Sequence, residues 1–248
     1  MKRFNLIIIG DELLNARRKD KHLENTIELL SERGLALHRS IIIGDDPELI
    51  VETLQYLNND ENIVFSFGGI GATPDDYTRQ NAAMAFDVSL KVHDQGRKIL
   101  EEKFGEETYP HRINMVTFPA GSRLIPNAYN NIPGFSYRDF HFVPGFPQMA
   151  KPMVQWVLDN CYHDLKPETK LDRKSIRVYG KGEGSLVNLM NDVLTQYPGA
   201  KLSCLPRIDL EKNYVELSLL AEPEVCEQAM DFIIDSLRNL GAEWKKTI

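Results

Sequence analysis

The sequence predicts an α/β protein with a three-layer arrangement, a parallel sheet between helices, followed by a small α+β module. Short apolar runs such as residues 5–9 are typical of strands that are buried on both faces. These runs alternate with segments whose apolar residues recur at helical spacing, which is typical of a parallel sheet covered by helices. A polar stretch over residues 160–174 predicts a linker between a first domain at 1–165 and a second at 166–248.

The elements of the first domain follow from apolar spacing and from turn residues. Leu23, Ile27 and Leu30 mark one helix, which Gly34 can end. Asp46 suits the N-cap of the next helix, and Pro47 its first helical position. The strands are expected at 5–9, 35–43, 62–67 and 140–143, with short ones at 115–118 and 123–125. The helices are expected at 21–33, from 47 through Leu57, and at 78–86, 93–104 and 148–158.

The second domain is predicted as a β-α-β-β-α module. Its strands are expected at 175–179, 201–205 and 214–221, and its helices at 185–196 and 223–240. A glycine-rich turn, Gly180-Lys181-Gly182-Glu183-Gly184, separates the first strand from the first helix.

Charge, hydropathy and cysteine content exclude several classes of protein. The chain has 248 residues and a formal net charge of −7, so we expect it to bind neither nucleic acid nor an anionic membrane surface. It contains no apolar run of about 18 residues, so no membrane span is expected. Three scattered cysteines form neither a disulfide framework nor a zinc motif, and we expect a cytoplasmic protein. They are Cys161, Cys204 and Cys226.

Four loops are predicted to meet at one edge of the parallel sheet. Ligands of open α/β sheets bind beyond the carboxyl ends of the strands, and each of these loops follows a predicted strand. Together they hold glycines and carboxylates with very little positive charge. They are Gly10-Asp11-Glu12, Gly44-Asp45-Asp46, the segment from Gly68 to Thr78, and Pro144-Gly145-Phe146-Pro147.

The third loop is the strongest candidate for a phosphate site. Gly68, Gly69 and Gly71 permit positive φ and a close approach of the backbone to a ligand. The helix that starts near Thr78 offers unpaired N–H groups to phosphate. The loop is not a Walker A motif, because no Gly-Lys-Ser or Gly-Lys-Thr follows. It is not a dinucleotide fingerprint either, because Pro74 stands where the last glycine of that fingerprint belongs. A tight turn with ordinary helix caps is the alternative.

Carboxylates at the same edge would repel a phosphate unless a cation lies between them. One or two carboxylates with phosphate oxygens are a common setting for Mg²⁺. We therefore interpret Asp45 and Asp76 as functional residues, and Asp46 as a helix cap. Lys19, Lys21 and Arg79 could contact an anion, although a solvated surface is the favoured interpretation of each. The six histidines show no metal-ligand spacing and are interpreted as surface or packing residues.

The motifs in these loops resemble those of the molybdopterin-binding family that includes MoaB, MogA and the N-terminal part of CinA. The most specific match is the segment from Gly68 to Thr78. Pro133-Gly134-Phe135 and the loop at Pro144 resemble later turns of the family, and the resemblance covers residues 4–158. The C-terminal module resembles the small central domain of CinA-type proteins. At residues 130–132 the small residues usual before the Pro-Gly turn are replaced, which is expected to reshape the pocket.

The resemblance implies a pocket for a pterin or a nucleotide phosphate. It implies a catalytic role for Asp45 and Asp76, which would hold Mg²⁺ or another divalent metal, and molybdopterin is a candidate ligand. Further ligand contacts would come from Gly10, Asp11, Glu12, Gly68, Gly69, Gly71, Thr73, Thr78, Pro144 and Gly145.

Three activities remain open from the resemblance. CinA-type relatives imply metal-dependent cleavage of a pyrophosphate bond of the ADP-ribose or FAD type. MogA-like relatives imply adenylyl transfer in molybdenum cofactor biosynthesis. The third alternative is a non-catalytic protein that binds a pterin or nucleotide. The family also implies a homo-oligomer, a dimer or a trimer.

Overall fold

A computed structural model describes residues 2–165, 171–208 and 212–247 of the chain. The chain divides into two compact units, residues 1–166 and residues 167–248. No helix in the described ranges is both long and apolar enough to cross a lipid bilayer.

The first unit alternates strands and helices as predicted. Its strands are β1 (Arg3–Ile9), β2 (Leu37–Ile43), β3 (Asn62–Phe67), β4 (Leu90–Val92), β5 (Thr117–Pro119), β6 (Arg123–Ile125), β7 (Gly134–Tyr137) and β8 (Phe140–Val143). Its α-helices are α1 (Asp11–Leu14), α2 (His22–Ser31), α3 (Pro47–Leu57), α4 (Thr78–Ala85), α5 (Asp94–Phe104) and α6 (Pro147–Cys161). Two short 3₁₀ helices lie at Gly105–Thr108 and Arg112–Val116.

The main sheet has six strands in the order β2-β1-β3-β8-β7-β6. Strands β2, β1, β3 and β8 run parallel. Strand β7 pairs antiparallel with β8, and β6 pairs antiparallel with β7. Because β2 and β3 flank β1 on opposite sides, the chain reverses its winding at β1. Ligands of open α/β sheets bind at this reversal, beyond the carboxyl ends of the strands.

Two apolar clusters lie on opposite faces of the sheet and make the first unit three-layered. Successive strand residues point to opposite faces, so Leu6 and Ile8 join one cluster, and Ile7 and Ile9 join the other. Helices α2 and α6 cover the first face, through Leu29, Leu30, Ala150, Met153 and Val154. Helices α3 and α4 cover the second face, through Ile50, Leu54, Leu57, Ala82 and Ala85.

The structure departs from the prediction mainly after helix α5. The strand expected at 115–118 is wrong in its bounds, since a 3₁₀ helix continues through Val116 and β5 begins at Thr117. Strand β7 was not predicted, although Gly134 and Phe135 are fully buried in it. Gly134 is required there because a Cβ would lie 2.4 Å from the carbonyl oxygen of Phe142 on β8.

The second unit is a β-α-β-β-α-β module with the ferredoxin-like order of elements. Its strands pair antiparallel in the order β10-β11-β9-β12, and both helices contribute to one apolar cluster. The edge strand β12 was not predicted, and β9 begins within the segment expected to be a linker, part of which lies outside the described residues. The elements are β9 (Asp172–Tyr179), α7 (Glu183–Gln196), β10 (Lys201–Arg207), β11 (Tyr214–Ala221), α8 (Pro223–Asn239) and β12 (Glu243–Lys246).

A fragment comprising residues 1–165 is expected to fold without the second unit. Its sheet and both covering helical layers are complete within that range, and its apolar clusters contain no residue from the second unit. Circular dichroism and a cooperative thermal melt of the expressed fragment test this expectation. A fragment that melts without cooperativity, or shows the spectrum of an unfolded chain, would contradict it.

Candidate functional site

The carboxyl ends of the parallel strands open into a cleft of about 490 Å³. This volume lies within the range of small-molecule sites in proteins. Residues from all four predicted loops line it, because β1, β2, β3 and β8 are neighbours that point the same way. The lining also includes Asn127, Asn130, Ile132 and Pro133 from the segment before β7.

The glycines at the end of β3 bring the backbone to the bottom of the cleft. Gly68 and Gly69 have φ values of +99° and +66°, which disfavour any side chain, whereas Gly71 does not share the predicted positive φ. A Cβ on Gly68 would lie 2.4 Å from the carbonyl oxygen of Ile9. Gly145 lies beside Gly68 but is less constrained, since its Cβ would make only an ordinary contact of 3.4 Å with the Cα of Gly68.

The carbonyl groups of this loop are bonded to the protein behind it. The Thr78 hydroxyl donates to the Gly68 carbonyl at 3.0 Å, and the Thr78 N–H donates to the Gly69 carbonyl at 3.0 Å. The guanidinium of Arg79 donates to the Gly71 carbonyl at 2.7 Å. In a trans peptide the N–H points opposite to the carbonyl. The N–H groups of Gly69, Ile70 and Ala72 are therefore directed away from helix α4.

Several N–H groups of this loop have no partner within the described part of the protein. Within the described chain, the backbone N–H groups of residues 69–72 donate to no protein acceptor. Their residues line the cleft, and successive unpaired N–H groups are the backbone arrangement that binds phosphate. We refer to residues 69–72 as the amide nest. An ordinary tight turn whose N–H groups bind water is the alternative interpretation.

Arg79 and Thr78 support the nest from the protein interior. The expectation that Arg79 is a solvated surface residue was wrong, because only 3% of it is exposed. Its guanidinium also donates to the Asn114 carbonyl, so it joins the loop to the 3₁₀ helix before β5. Burial lowers the pKa of Arg79, and the Asp76 carboxylate opposes that shift. Thr78 is fully buried and is absent from the cleft lining.

Asp45 and Asp11 hold the first two loops together. The Asp11 N–H donates to Asp45 Oδ2 at 3.0 Å, and the Asp45 N–H donates to Asp11 Oδ1 at 3.2 Å. A Cβ on Gly44 would lie 2.4 Å from Asp11 Oδ1, so glycine is required beside this exchange. Burial raises the pKa of Asp45, and the charges of Asp11, Glu12 and Asp75 raise it further. Asp45 lines the cleft, whereas Asp11 lies outside the lining.

Asp76 closes the glycine loop on itself. Its Oδ2 accepts hydrogen bonds from the backbone N–H of Thr73, at 2.8 Å, and from the Thr73 hydroxyl. Helix α4 has Tyr77 as its N-cap, with no side-chain cap bond, so Asp76 does not cap it. Asp46, in contrast, caps α3 as predicted, since its Oδ1 accepts from the N–H groups of Glu48 and Leu49.

The cleft lining combines acidic and apolar side chains. Four carboxylates line it, from Glu12, Asp45, Asp75 and Asp76, and Arg18 is the single basic residue among the described lining residues. The Arg18 guanidinium lies 3.8 Å from a Glu12 carboxylate oxygen and 5.5 Å from the centre of the Phe146 ring. The larger apolar lining residues include Met115, Ile132, Phe146 and Met149.

Behind the fourth loop, a buried histidine fixes the direction of another peptide. His22 is 5% exposed, its ring lies 4.4 Å from that of Phe67, and its Nε2 donates to the Gly145 carbonyl at 3.3 Å. Burial lowers the pKa of His22, which favours the neutral ring. With the Gly145 carbonyl held inward, the Phe146 N–H points the opposite way, as in the amide nest.

The carboxylates fit a divalent cation only in partnership with a ligand. In the described ranges, no three His, Cys, Asp or Glu side chains lie close enough to hold a metal ion by themselves. Mg²⁺ is commonly held by one or two carboxylates together with phosphate oxygens and water. Asp45 and Asp76 offer carboxylate oxygens at the cleft, so the donor chemistry fits this shared mode.

Most of the residues predicted from the sequence meet in this cleft. Those that line it are Gly10, Glu12, Asp45, Gly68, Gly69, Gly71, Thr73, Asp76, Pro144 and Gly145. Sequence reasoning missed Arg18 and Asn127, which lie outside the four motifs. The unusual residues at 130–132 indicated a part of the cleft outside the four loops, because Asn130 and Ile132 line it.

The fold and this cleft define a doubly wound α/β protein with an amide nest at the reversal of its sheet. The sequence profile of the family described as "Probable molybdopterin binding domain" matches residues 5–163. The chain belongs to this family, and the family suggests a small-molecule ligand. The matched residues include those that line the cleft.

Relatives with curated names extend the comparison. A CinA-like protein of Colwellia psychrerythraea is 28% identical over 203 residues, which are 79% of this chain and 47% of that protein. A CinA-like protein of Geotalea uraniireducens is 28% identical over 231 residues, 90% of this chain and 53% of that protein. The chain thus spans about half the length of these relatives. A protein of Pyrobaculum calidifontis is 24% identical over 246 residues, 95% of this chain and 94% of its own length.

A solved structure supports the fold of the first unit. The crystal structure of a CinA protein of unknown function from Thermoplasma acidophilum superposes with a TM-score of 0.59 at 22% identity. The match covers 64% of this chain and 97% of that one. At this identity the likeness concerns the fold alone.

The substitution Asp45→Asn is expected to raise the melting temperature near neutral pH. Burial raises the pKa of Asp45, the hydrogen bond from the Asp11 N–H opposes this, and neighbouring negative charge raises it further. The folded pKa therefore lies above the unfolded value. The wild-type protein therefore loses stability as the pH rises through that raised pKa. The melting temperature of the variant should exceed that of the wild-type protein at pH values above the raised pKa of Asp45. This difference should vanish below the ordinary carboxyl pKa. Melts from about pH 3 to about pH 8 measure it.

The variant Asp46→Asn is the matched control for this measurement. It removes the same charge one residue along the chain, from a side chain outside the cleft, and asparagine remains a good N-cap. The control should show no comparable rise near neutral pH. Equal stabilisation by both substitutions would contradict the assigned environment of Asp45.

Proposed function

We propose that the protein binds a phosphorylated nucleotide or pterin in the cleft and hydrolyses a pyrophosphate bond with a divalent metal. The amide nest is the observation that carries this proposal. The row of unpaired N–H groups at residues 69–72 calls for an anion with several acceptor oxygens. A phosphate group supplies such oxygens, and fixed amide dipoles favour its charge without reorganisation.

The carboxylates around the nest favour hydrolysis over simple binding. A site that only held phosphate would be weakened by four acidic side chains in the same cleft. With a divalent ion bound by Asp45 and Asp76, this repulsion becomes attraction. Such an ion supplies positive charge to the phosphate oxygens as the anhydride bond breaks.

The apolar side chains of the cleft lining support a ligand with a flat ring. Met115, Ile132 and Met149 offer an apolar surface, and Phe146 at the rim is 51% exposed. A nucleobase or a pterin could pack here while its phosphates reach the nest. Adenylated ligands of the ADP-ribose and FAD type combine such a ring with a pyrophosphate, and molybdopterin combines a pterin with a phosphate.

The residues of this chain have separate roles in the proposed reaction. The amide nest would hold one phosphate of the pyrophosphate and stabilise the charge that develops on it. Arg18 would contact a second anionic group, and Asp45 and Asp76 would orient the pyrophosphate through the cation they bind. A water oxygen would bond to one phosphorus while the bond from that phosphorus to the bridging oxygen breaks. The bridging oxygen would stay on the other phosphorus, and the two protons of the water would be distributed between the two phosphate products.

We also propose a homo-oligomer, a dimer or a trimer. Strand β2 forms an edge of the main sheet, and edge strands present unpaired backbone groups. Ile42 on this strand is 43% exposed, and Tyr56 nearby on α3 is 65% exposed, with its ring beside Arg39. An apolar edge of this kind supports contact with a second copy.

Asp76→Asn should lower turnover by roughly two orders of magnitude or more, because the charge that holds the cation is lost. The asparagine oxygen can still accept the bond from the Thr73 N–H, so the loop should keep its shape. The assay is release of phosphate or nucleotide from ADP-ribose, FAD, NAD and ATP with Mg²⁺, Mn²⁺ and Co²⁺. Thermal melts verify that the variant folds.

Asp46→Asn is again the control and should retain turnover. Undiminished, metal-dependent turnover in Asp76→Asn would refute the role assigned to Asp76. Ligand-dependent thermal shifts without turnover of any substrate by the wild-type protein would contradict hydrolysis and favour the non-catalytic alternative.

A further inference from the structure

The second unit has a sheet with one covered and one open face. Alternate residues of β9 and β11, such as Ile176 and Leu217, join the apolar cluster beneath helices α7 and α8. The residues between them point to the other side. Lys174 lies on the covered face, since its side chain forms an ion pair with Glu227 of α8. We define the open face by its cross-strand rows, which include Arg207–Tyr214–Tyr179–Glu243 and Leu205–Glu216–Arg177–Lys245.

Two aromatic rings lie side by side on the central strands of the open face. Tyr179 on β9 and Tyr214 on β11 are directly paired in register, and their ring centres are 5.8 Å apart. The Arg177 guanidinium lies 4.8 Å from the Tyr214 ring, and Lys212 Nζ lies 4.9 Å from the Tyr179 ring. Both tyrosines are half-buried, with a cationic side chain over each ring. Nucleobases stack on aromatic rings of a four-stranded RNA-binding sheet and on arginine guanidinium planes.

The open face is basic although the chain is acidic. Its described acidic residues are Glu216 and Glu243, and Lys212 pairs with Glu243. Its basic residues outnumber them and extend from one edge strand to the other. They are Arg173, Arg177, Lys201, Arg207 and Lys245. The net charge of −7 for the whole chain is an average and does not describe this surface.

We propose that the open face of the second unit binds single-stranded RNA. The paired tyrosines would stack two bases, and the surrounding arginines and lysines would contact the phosphates on either side. Ser203 is exposed in the row next to Glu216, and both can hydrogen-bond a ribose 2′-hydroxyl. An acidic protein partner would match the charge but would not use the tyrosine pair as a stacking platform. This site is separate from the cleft and does not depend on its proposed chemistry.

Fluorescence anisotropy of the full chain with a labelled oligouridylate of about 12 nucleotides tests the proposal. Binding should weaken steeply with salt. Tyr179→Ala should lower the affinity by about tenfold or more, through lost stacking. The double variant Arg207→Glu, Lys245→Glu should lower it at least as much, and both positions are exposed on edge strands, so folding should persist. Thermal melts confirm that each variant folds.

Lys246→Glu is the charge control; it changes the net charge by two units, and the double variant changes it by four. It lies on the same strand as Lys245 and is exposed, but its cross-strand partner Ile176 belongs to the covered side. The control should retain RNA affinity, and a deoxyoligonucleotide of equal length should compete about tenfold less well.

Three results would overturn the proposal. Equal losses in Lys246→Glu and in the double variant would show non-specific charge attraction. Unchanged affinity in Tyr179→Ala and in the double variant would exclude the open face. A wild-type protein without RNA affinity, whose oligomeric state changes in the double variant on sedimentation, would assign the face to contact between copies.

Discussion

The candidate site depends on the hydrogen bonds that hold the carbonyl groups of the glycine loop against the protein. Thr78 binds the carbonyls of Gly68 and Gly69, and Arg79 binds that of Gly71. Because each peptide is planar and trans, fixing a carbonyl inward fixes the next N–H outward. The N–H groups of Gly69, Ile70 and Ala72 are thereby directed away from helix α4, and their residues line the cleft. Buried Arg79 is thus a positioning residue, and its charge acts through the loop that it holds.

The sheet topology explains why this nest lies beside so many acids. Strands β2, β1, β3 and β8 are parallel neighbours, so their carboxyl ends lie at one edge and loops far apart in the chain converge there. The mutual bonds between Asp11 and Asp45 then fix one carboxylate at the cleft, with its pKa raised by burial. Donors for an anion and acceptors for a cation occur together. The proposed phosphoanhydride would use the donors, and the proposed divalent metal would use the carboxylates.

Local patterns predicted much of this arrangement, and the remainder required three-dimensional information. Apolar runs and caps located β1, β2, β3 and β8 and therefore the four loops, because these signals are contained within each segment. Sequence could not show that Arg79 is buried, since the same residue type suits a solvated helix start. Strand β7 was missed because its four residues do not mark a strand by themselves. They form a strand through their pairing with β8. Arg18 lies outside every motif, and only the folded chain brings it beside Glu12 and Phe146.

The most direct test of the account is a nuclear magnetic resonance titration of the ¹⁵N-labelled protein with inorganic pyrophosphate, with and without Mg²⁺. The amide signals of Gly69, Ile70, Gly71 and Ala72 should move the most, because their N–H groups are the proposed donors. The change should grow when Mg²⁺ is present, as expected if Asp45 and Asp76 share the ion with the ligand. Large shifts elsewhere with these four signals unmoved, at any Mg²⁺ concentration, would contradict the claim that residues 69–72 form the phosphate site.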